Sequence, residues 1–275
     1  GWNYSLVYSD GSLGVHNPSF TEDVLEATEE ALEELVGGGG GPGGGANAVS
    51  CTSQFVYWNE FAARLGGSAG SVWRSDVVAK NNGDGMANLT FYLHTDTQVF
   101  EYPAMVDAGA QGLFEDIVEL MGADGNKGAL EICSDSPLEA VARIYNVSDT
   151  GTFGQFQDGI NFSGLDMGDN GRLYGLRQMT GEWRTNLSVT NTGMNAATVM
   201  VTLFGTNASE LTSYELTVGS GMTVQDLEPF RTRANSPDLG WGYAFVEVTS
   251  GDGVITSASV IDSRTNDATT IPMKY

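Results

Sequence analysis

The chain contains an internal duplication, which constrains its fold more than any other feature. Trp183 lies 110 residues after Trp73, and many later residues match at the same spacing. The matched pairs are Arg74 with Arg184, Asn81 with Asn191, Gly83 with Gly193, Leu89 with Val199, Phe91 with Val201, Leu93 with Leu203, Gly109 with Gly219 and Asp116 with Asp226. A repeat that keeps its register for more than forty residues predicts two like domains in tandem.

Hydrophobic residues alternate with a period of two from about residue 50 onward, as in 89–93, 199–203 and 244–248. These runs are separated by turns rich in Gly, Asp and Asn. Short alternating strands between such turns predict a mainly β chain with two tandem antiparallel β-sandwich (Ig-like) domains.

The N-terminal part has a different pattern. Apolar residues recur at helical spacing within 22–36, opposite a row of glutamates, which predicts an amphipathic helix. Eight glycines around Pro42 end this pattern and are typical of a tether. We therefore predict an N-terminal segment with a helix at 1–36, a Gly-rich linker at 37–49, and β-sandwiches at 50–160 and 161–275.

The composition is strongly acidic. Thirty-five acidic residues against twelve basic ones give a formal net charge of −23. Such a surface repels nucleic acid and anionic lipid headgroups, so neither is expected as a partner. No run of eighteen apolar residues occurs, so no membrane span is expected.

The two cysteines, Cys51 and Cys133, lie 82 residues apart and do not form a Cys-x-x-Cys pair. They and the two histidines do not show the spacing of metal ligands, so no metal site is expected. A disulfide between them is predicted if the compartment is oxidising, which points to an extracellular or cell-surface location. The alternative is two separately buried thiols.

Each repeat begins a strand with Trp and Arg, at Trp73–Arg74 and Trp183–Arg184. An aromatic ring beside a guanidinium could stack on a sugar or a peptide. The pair could equally be a packing device, and its presence at the same position in both repeats favours packing. With Trp241, these tryptophans could form a recognition platform.

Two further motifs lead to no predicted catalytic site. Residues 66–70 satisfy the pattern G-x-S-x-G around Ser68, but a strand follows where a nucleophile elbow needs a helix. The one histidine downstream, His94, is expected to lie exposed at a strand end. The chain is therefore predicted not to be an enzyme.

The run from Asp10 to Pro18 contains His16 before an Asn-Pro turn and a capped helix. This segment resembles the C-terminal end of multihaem c-type cytochromes, including those similar to cytochrome c nitrite reductase. The resemblance implies that His16 is a distal axial ligand of a haem; the alternative is an ordinary turn before a helix. No Cys-x-x-Cys-His occurs, so this chain attaches no haem c itself. The haem would come from an upstream segment or a partner chain.

The two repeats resemble β-sandwich modules of uncharacterised secreted bacterial proteins, a family that implies no activity. Together these features predict a non-enzymatic extracellular protein with a structural or assembly role. The expected setting is the outer region of an extracellular multihaem cytochrome or a filament involved in electron transfer, with self-association or a haem-bearing partner. The alternative is a cell-surface adhesin or carbohydrate-binding protein.

Overall fold

The structure is a computed structural model that describes residues 51–66, 72–148 and 151–275. These residues belong to one compact unit, Gly44–Tyr275. His16, the helix predicted at 22–36, the linker at 37–49 and Ser68 lie outside the described residues. Among the residues that are described, no helix is long and apolar enough to cross a membrane.

The first sandwich consists of nine strands and one short helix. In chain order they are β1 (Phe55–Ala63), β2 (Leu65–Gly66), β3 (Val72–Asn81), β4 (Ala87–His94), β5 (Val99–Val106), β6 (Gln111–Phe114), α1 (Ile117–Leu120), β7 (Lys127–Ser134), β8 (Leu138–Ser148) and β9 (Gly151–Asp158). One sheet has the order β1-β7-β4-β5. The other has the order β2-β3-β8-β9, with β6 also paired to β3.

The second sandwich repeats this plan with eight strands and one short helix. They are β10 (Asn170–Gln178), β11 (Trp183–Asn191), β12 (Ala197–Gly205), β13 (Glu210–Val218), β14 (Thr223–Leu227), α2 (Pro229–Thr232), β15 (Gly240–Ser250), β16 (Val254–Asp262) and β17 (Ala268–Pro272). Its sheets have the orders β10-β15-β12-β13 and β14-β11-β16-β17. All named strand pairs in both sandwiches are antiparallel.

Each sandwich encloses its own hydrophobic core, because alternate strand residues point between the two sheets. In β12, the inward residues Val199, Val201 and Leu203 are fully buried. Phe91 and Leu93 of β4 are likewise fully buried in the core of the first sandwich. Burying a side chain of this size contributes about 1.5–3 kcal/mol, so these inward rows determine which face of each strand points to the core.

The two sandwiches share one strand order, which is what the duplication predicts. Asn81 and Asn191 show the equivalence at a single position: both are fully buried at a strand end. The Asn81 amide donates to the carbonyls of Gly85 and Val106, and the Asn191 amide donates to those of Asn195 and Val218. In both copies the side-chain oxygen accepts from the backbone N–H two residues later. The matched asparagines thus fix matching turns.

The gap-free register is wrong beyond β4 and β12. Leu93 pairs with Phe100, whereas Leu203 pairs with Thr212, so the second copy has two extra residues at this hairpin and its bulge. The structure therefore matches Gly109 with Gly221 rather than with Gly219. Asp116, the residue before α1, likewise matches Glu228, the residue before α2. A hairpin loop accommodates an insertion without disturbing the core. Every residue after this hairpin is therefore shifted by two positions relative to the match made from the sequence.

The mainly β fold class of antiparallel sandwiches is confirmed. The strand order differs from that of a constant-type immunoglobulin domain. In a constant-type immunoglobulin domain the first two strands are neighbours in one sheet. Here β1 and β3 lie in different sheets, and so do β10 and β11.

Candidate functional site

One outer face of the first sandwich is buried, which is unusual for a sheet that already covers a core with its other side. We call it the docked face: the outward residues of the sheet β1-β7-β4-β5. Trp58 and Ala129 from this face form a buried cluster with Ile255 of β16. Trp58 also exchanges two backbone hydrogen bonds of 2.8 Å with Ile160 in the connection between the sandwiches. The second sandwich therefore covers this face.

Glu60 is a charged residue that is buried in this contact. It is 6 % exposed, and its carboxylate accepts a hydrogen bond from the hydroxyl of Ser257 on β16. Its backbone carbonyl accepts from the hydroxyls of Thr223, at 2.8 Å, and Thr190, at 3.4 Å. Burial raises the pKa of Glu60 from 4.5 to about 7, although the hydrogen bond from Ser257 opposes this rise.

His94 and Glu131 form a buried pair on the docked face. His94 Nε2 lies 2.9 Å from Glu131 Oε2, and the two residues are 2 % and 3 % exposed. The Trp58 ring centroid is 5.2 Å from that of His94, and Gly221 of the second sandwich lies against the imidazole. The expectation of an exposed His94 is therefore wrong. The histidine does end a strand, but the second sandwich covers it.

The predicted disulfide is present beside this pair. Cys51 and Cys133 are bonded, with Cα atoms 5.7 Å apart, a normal separation for a disulfide. A cross-link that closes so long a loop stabilises the fold by about 4 kcal/mol in the chain-entropy estimate. The backbone N–H of Cys51 donates to Glu131 Oε1 at 3.2 Å. A cleft of about 410 Å³ opens onto Cys51, His94 and Glu131.

The same sheet face of the second sandwich carries different residues at the same positions. In the first sandwich, Trp58 on β1 lies opposite Glu131 on β7. In the second, the equivalent pair is Arg172 on β10 opposite Phe245 on β15. The remaining positions follow from the strand pairing: Glu60 corresponds to Tyr174, His94 to Phe204, and Ala129 to Tyr243. Where the first sandwich has a buried polar set, the second has a cluster of aromatic rings.

We call the outward residues of the sheet β10-β15-β12-β13 the aromatic face. Phe204 and Tyr243 stack with centroids 4.8 Å apart and an angle of 9° between the rings. Phe245 lies 5.1 Å from Phe204, and the guanidinium of Arg172 lies 5.9 Å from the Phe245 centroid. Tyr174 remains 49 % exposed. The rings stand on the sheet and pack against each other, so they present an apolar ridge rather than a flat platform.

The first Trp-Arg pair lies at the start of β3. Trp73 lies opposite Asn146 on β8, and Arg74 lies opposite Tyr145. Arg74 Nε is 3.6 Å from Asp116 Oδ2. Burial raises the pKa of Asp116, and the nearby arginines, Arg64 first, oppose that rise.

The second Trp-Arg pair lies at the matching position, with Trp183 opposite Asp262 and Arg184 opposite Ile261. Arg184 donates to Asn266 Oδ1 at 2.9 Å, and burial lowers the pKa of its guanidinium. Both residues line a cavity of about 320 Å³.

Arg177 holds two tryptophans together at the end of the aromatic face. Its guanidinium carbon lies 4.1 Å from the Trp183 ring centroid and 4.5 Å from that of Trp241. Trp241 is 50 % exposed. The platform expected from three tryptophans thus contains two, because Trp73 belongs to the first sandwich and makes none of these contacts.

Sequence reasoning found the cysteines but missed Glu60, Glu131, Tyr174 and Phe245. The alternating pattern of the strands does place each of these residues at an outward position, and this much could be read from the sequence. A charged residue on such a position normally faces water, and the sequence does not reveal that a second domain covers it.

No protein-family model matches this chain, and no curated protein does. The structure is similar to that of Thermotoga maritima 1070, with 13 % identity and a TM-score of 0.34 over 40 % of this chain and 95 % of that one. The Anabaena sensory rhodopsin transducer gives 14 % identity and a TM-score of 0.26, covering 34 % and 95 %. A Bacteroides uniformis β-glucuronidase gives 9 % identity and a TM-score of 0.17, covering 78 % and 25 %. Likeness at this level identifies neither a family nor a function.

Proposed function

We propose that this chain is a non-enzymatic extracellular structural protein whose copies join head to tail through their β-sandwiches. The observation that carries the proposal is the aromatic face. It occupies the position that, in the first sandwich, is buried against the second. A partly exposed row of aromatic rings at a position already used for docking supports the same use between copies.

The proposed occupant of the aromatic face is the first sandwich of a second copy. We call its contact surface the free face: the outward residues of the sheet β2-β3-β8-β9, with β6. This sheet is equivalent to the one that Trp58 and Glu60 contact in the second sandwich. The free face carries four exposed apolar residues, which are Val72, Leu113, Val147 and Phe156.

The contact between the two sandwiches of one chain serves as a template for the contact between copies, because each residue can be replaced by its equivalent in the other repeat. Strand pairing makes Ile255 equivalent to Glu139 and Ser257 equivalent to Val141. The Trp58–Ile255 contact then becomes Arg172 against Glu139, an opposite-charge pair. The Glu60–Ser257 contact becomes Tyr174 against Val141. Both substitutions suit a surface that must be soluble before it associates.

A contact between two different faces does not close on itself in a dimer. Head-to-tail association of this kind generates a ring or an open filament. This agrees with the filament expected from the sequence and gives the tandem sandwiches a structural role.

Charge reversal tests the proposal in the full chain. Arg172→Glu should weaken self-association roughly tenfold or more, because two carboxylates would then face each other. Glu139→Arg should have the same effect, and the double variant should restore association. Glu182→Gln, an exposed residue in the turn between β10 and β11, is the control. Sedimentation velocity measures the result.

A 1:1 mixture of the two single variants should restore association, because every contact between unlike variants then joins opposite charges. Equal association of all variants would overturn the proposal. So would a wild-type chain that stays monomeric at every concentration.

The proposed setting is an extracellular multihaem cytochrome or its filament. The support is the resemblance of residues 10–18 and the disulfide, which is typical of oxidising compartments. Native material should show a Soret band, and His16→Ala should alter the haem spectrum. Material without haem absorbance would remove this setting but leave the structural role.

The second candidate function is carbohydrate binding, favoured by the exposed Trp241 stacked on Arg177. Sugar binding there should change tryptophan fluorescence, and Trp241→Ala should abolish the change. Glycan arrays without a hit would exclude this function.

A further inference from the structure

A potential metal-binding cluster lies on the docked face. The sulfur atoms of Cys51 and Cys133 and a carboxylate oxygen of Glu131 all lie within 4.8 Å of one another. Cys133 is 5 % exposed and Glu131 is 3 % exposed. The sequence indicated no metal site, because Glu131 joins the cysteines only through the pairing of strands.

Two thiolates and a carboxylate suit a zinc ion. Zn²⁺ binds cysteine sulfur at about 2.3 Å and carboxylate oxygen at about 2.0–2.2 Å, so its tetrahedral ligand atoms lie about 3.3–3.8 Å apart. The three donors already lie within reach of this arrangement. Reduction breaks the S–S bond, so the two sulfurs are free to separate.

The surroundings support a bound ion as well. His94 lies 2.9 Å from the second oxygen of Glu131 and so fixes the orientation of the carboxylate. The cleft of about 410 Å³ reaches Cys51 and Glu131, which leaves a route for the metal and a fourth position for water.

We propose that reduction of the Cys51–Cys133 disulfide converts this cluster into a zinc site, with Cys51, Cys133 and Glu131 as ligands and His94 as a positioning residue. A dithiol reductant supplies two electrons and two protons. The S–S bond of the protein breaks into two thiols, and the dithiol closes to its own disulfide. The two thiols then lose their protons to solvent as Zn²⁺ binds. The redox state of the cysteines thus selects between a cross-link and a metal.

The experiment uses the full chain, reduced and freed of dithiol under argon, with Co²⁺ as the spectroscopic probe. We expect one Co²⁺ per chain, with thiolate-to-cobalt charge-transfer absorption and the visible bands of tetrahedral coordination. Zn²⁺ should displace the cobalt. Oxidised protein should show no such absorption. Glu131→Gln should weaken binding at least tenfold, and His94→Gln should weaken it about 10–100-fold. Glu182→Gln, in the exposed turn between β10 and β11, should leave binding unchanged.

Three results would overturn the proposal. The first is an absence of charge-transfer absorption in reduced protein whose thiols react freely. The second is equal affinity in wild type and Glu131→Gln, which would show that any pair of thiols accounts for the binding. The third is loss of the β circular dichroism on reduction, because the donors would then no longer be held together.

Discussion

At the scale of residues, the contact between the sandwiches depends on polar groups in unusual surroundings. Glu60, His94 and Glu131 are nearly inaccessible to solvent, yet all lie on the outer face of a sheet. Each has a hydrogen-bond partner: Ser257 for Glu60, and the His94–Glu131 pair for the other two. Buried polar groups that are paired favour one arrangement of the sandwiches over others, since any shift would leave them unpaired.

Glu60 should make the stability of the protein depend on pH. Its pKa is raised from 4.5 to about 7, so the folded protein holds this proton more tightly than the unfolded chain does. Unfolding releases the proton between these pH values, and the free energy of unfolding therefore falls as pH rises through this window. A shift of this size corresponds to about 3 kcal/mol.

Glu60→Gln keeps a hydrogen-bond acceptor for Ser257 and removes the titration. Urea unfolding at a series of pH values should show the decline in wild type and in the control Glu139→Gln, and its loss in Glu60→Gln. A decline of equal size in all three proteins would show that Glu60 is not its cause.

At the scale of elements, two equivalent turns differ in what they touch. Gly109 joins β5 to β6 with φ of 67°, and Gly221 joins β13 to β14 with φ of 71°. A Cβ atom at Gly109 would meet nothing within 4 Å, whereas one at Gly221 would lie 2.7 Å from His94 Nδ1. The second turn thus closes over the docked face.

This difference supplies a matched pair of variants. Gly109→Ala measures only the cost of a left-handed backbone, about 1–2 kcal/mol. Gly221→Ala adds the clash with His94 and should cost about 1–3 kcal/mol more. The free energies of unfolding in urea give both values. Equal losses would mean that the turn does not press on His94.

The sequence predicted the elements and their tandem repetition, because alternation and turn residues act locally. Asn81 and Asn191 are an example, since the match between them in the sequence corresponds to two equivalent turns in the structure. The two-residue insertion between β12 and β13 escaped detection because glycine and acidic residues recur by chance in turns. Burial of Glu131 and His94 could not be predicted, since it depends on how one sandwich packs on the other.

At the scale of the whole molecule, surface shape and net charge have opposite effects on association between copies. The aromatic face and the free face favour association between copies, while a net charge of −23 makes like copies repel. The charge keeps separate chains soluble, and the faces give growth a direction once copies meet.

Salt should therefore strengthen self-association. Raising ionic strength from about 0.01 M to about 0.15 M shortens the Debye length from about 30 Å to about 8 Å, which screens the repulsion between copies. Sedimentation velocity should show larger species at the higher salt. The Arg172→Glu variant, in which two carboxylates would face each other, should respond more, because salt also screens this added repulsion. Association that weakens with salt would mean that attraction between opposite charges drives it instead.

Cross-linking of mixed variants tests the head-to-tail contact most directly. Tyr174→Cys and Val141→Cys place one free thiol on the aromatic face or on the free face, and a short bismaleimide joins free thiols without touching the native disulfide. We predict covalent dimers when the two variants are mixed and none when either is treated alone. Cross-linking of Tyr174→Cys with itself would show that two aromatic faces meet, and no cross-linking in the mixture would show that the faces do not meet at all; either result would contradict head-to-tail assembly.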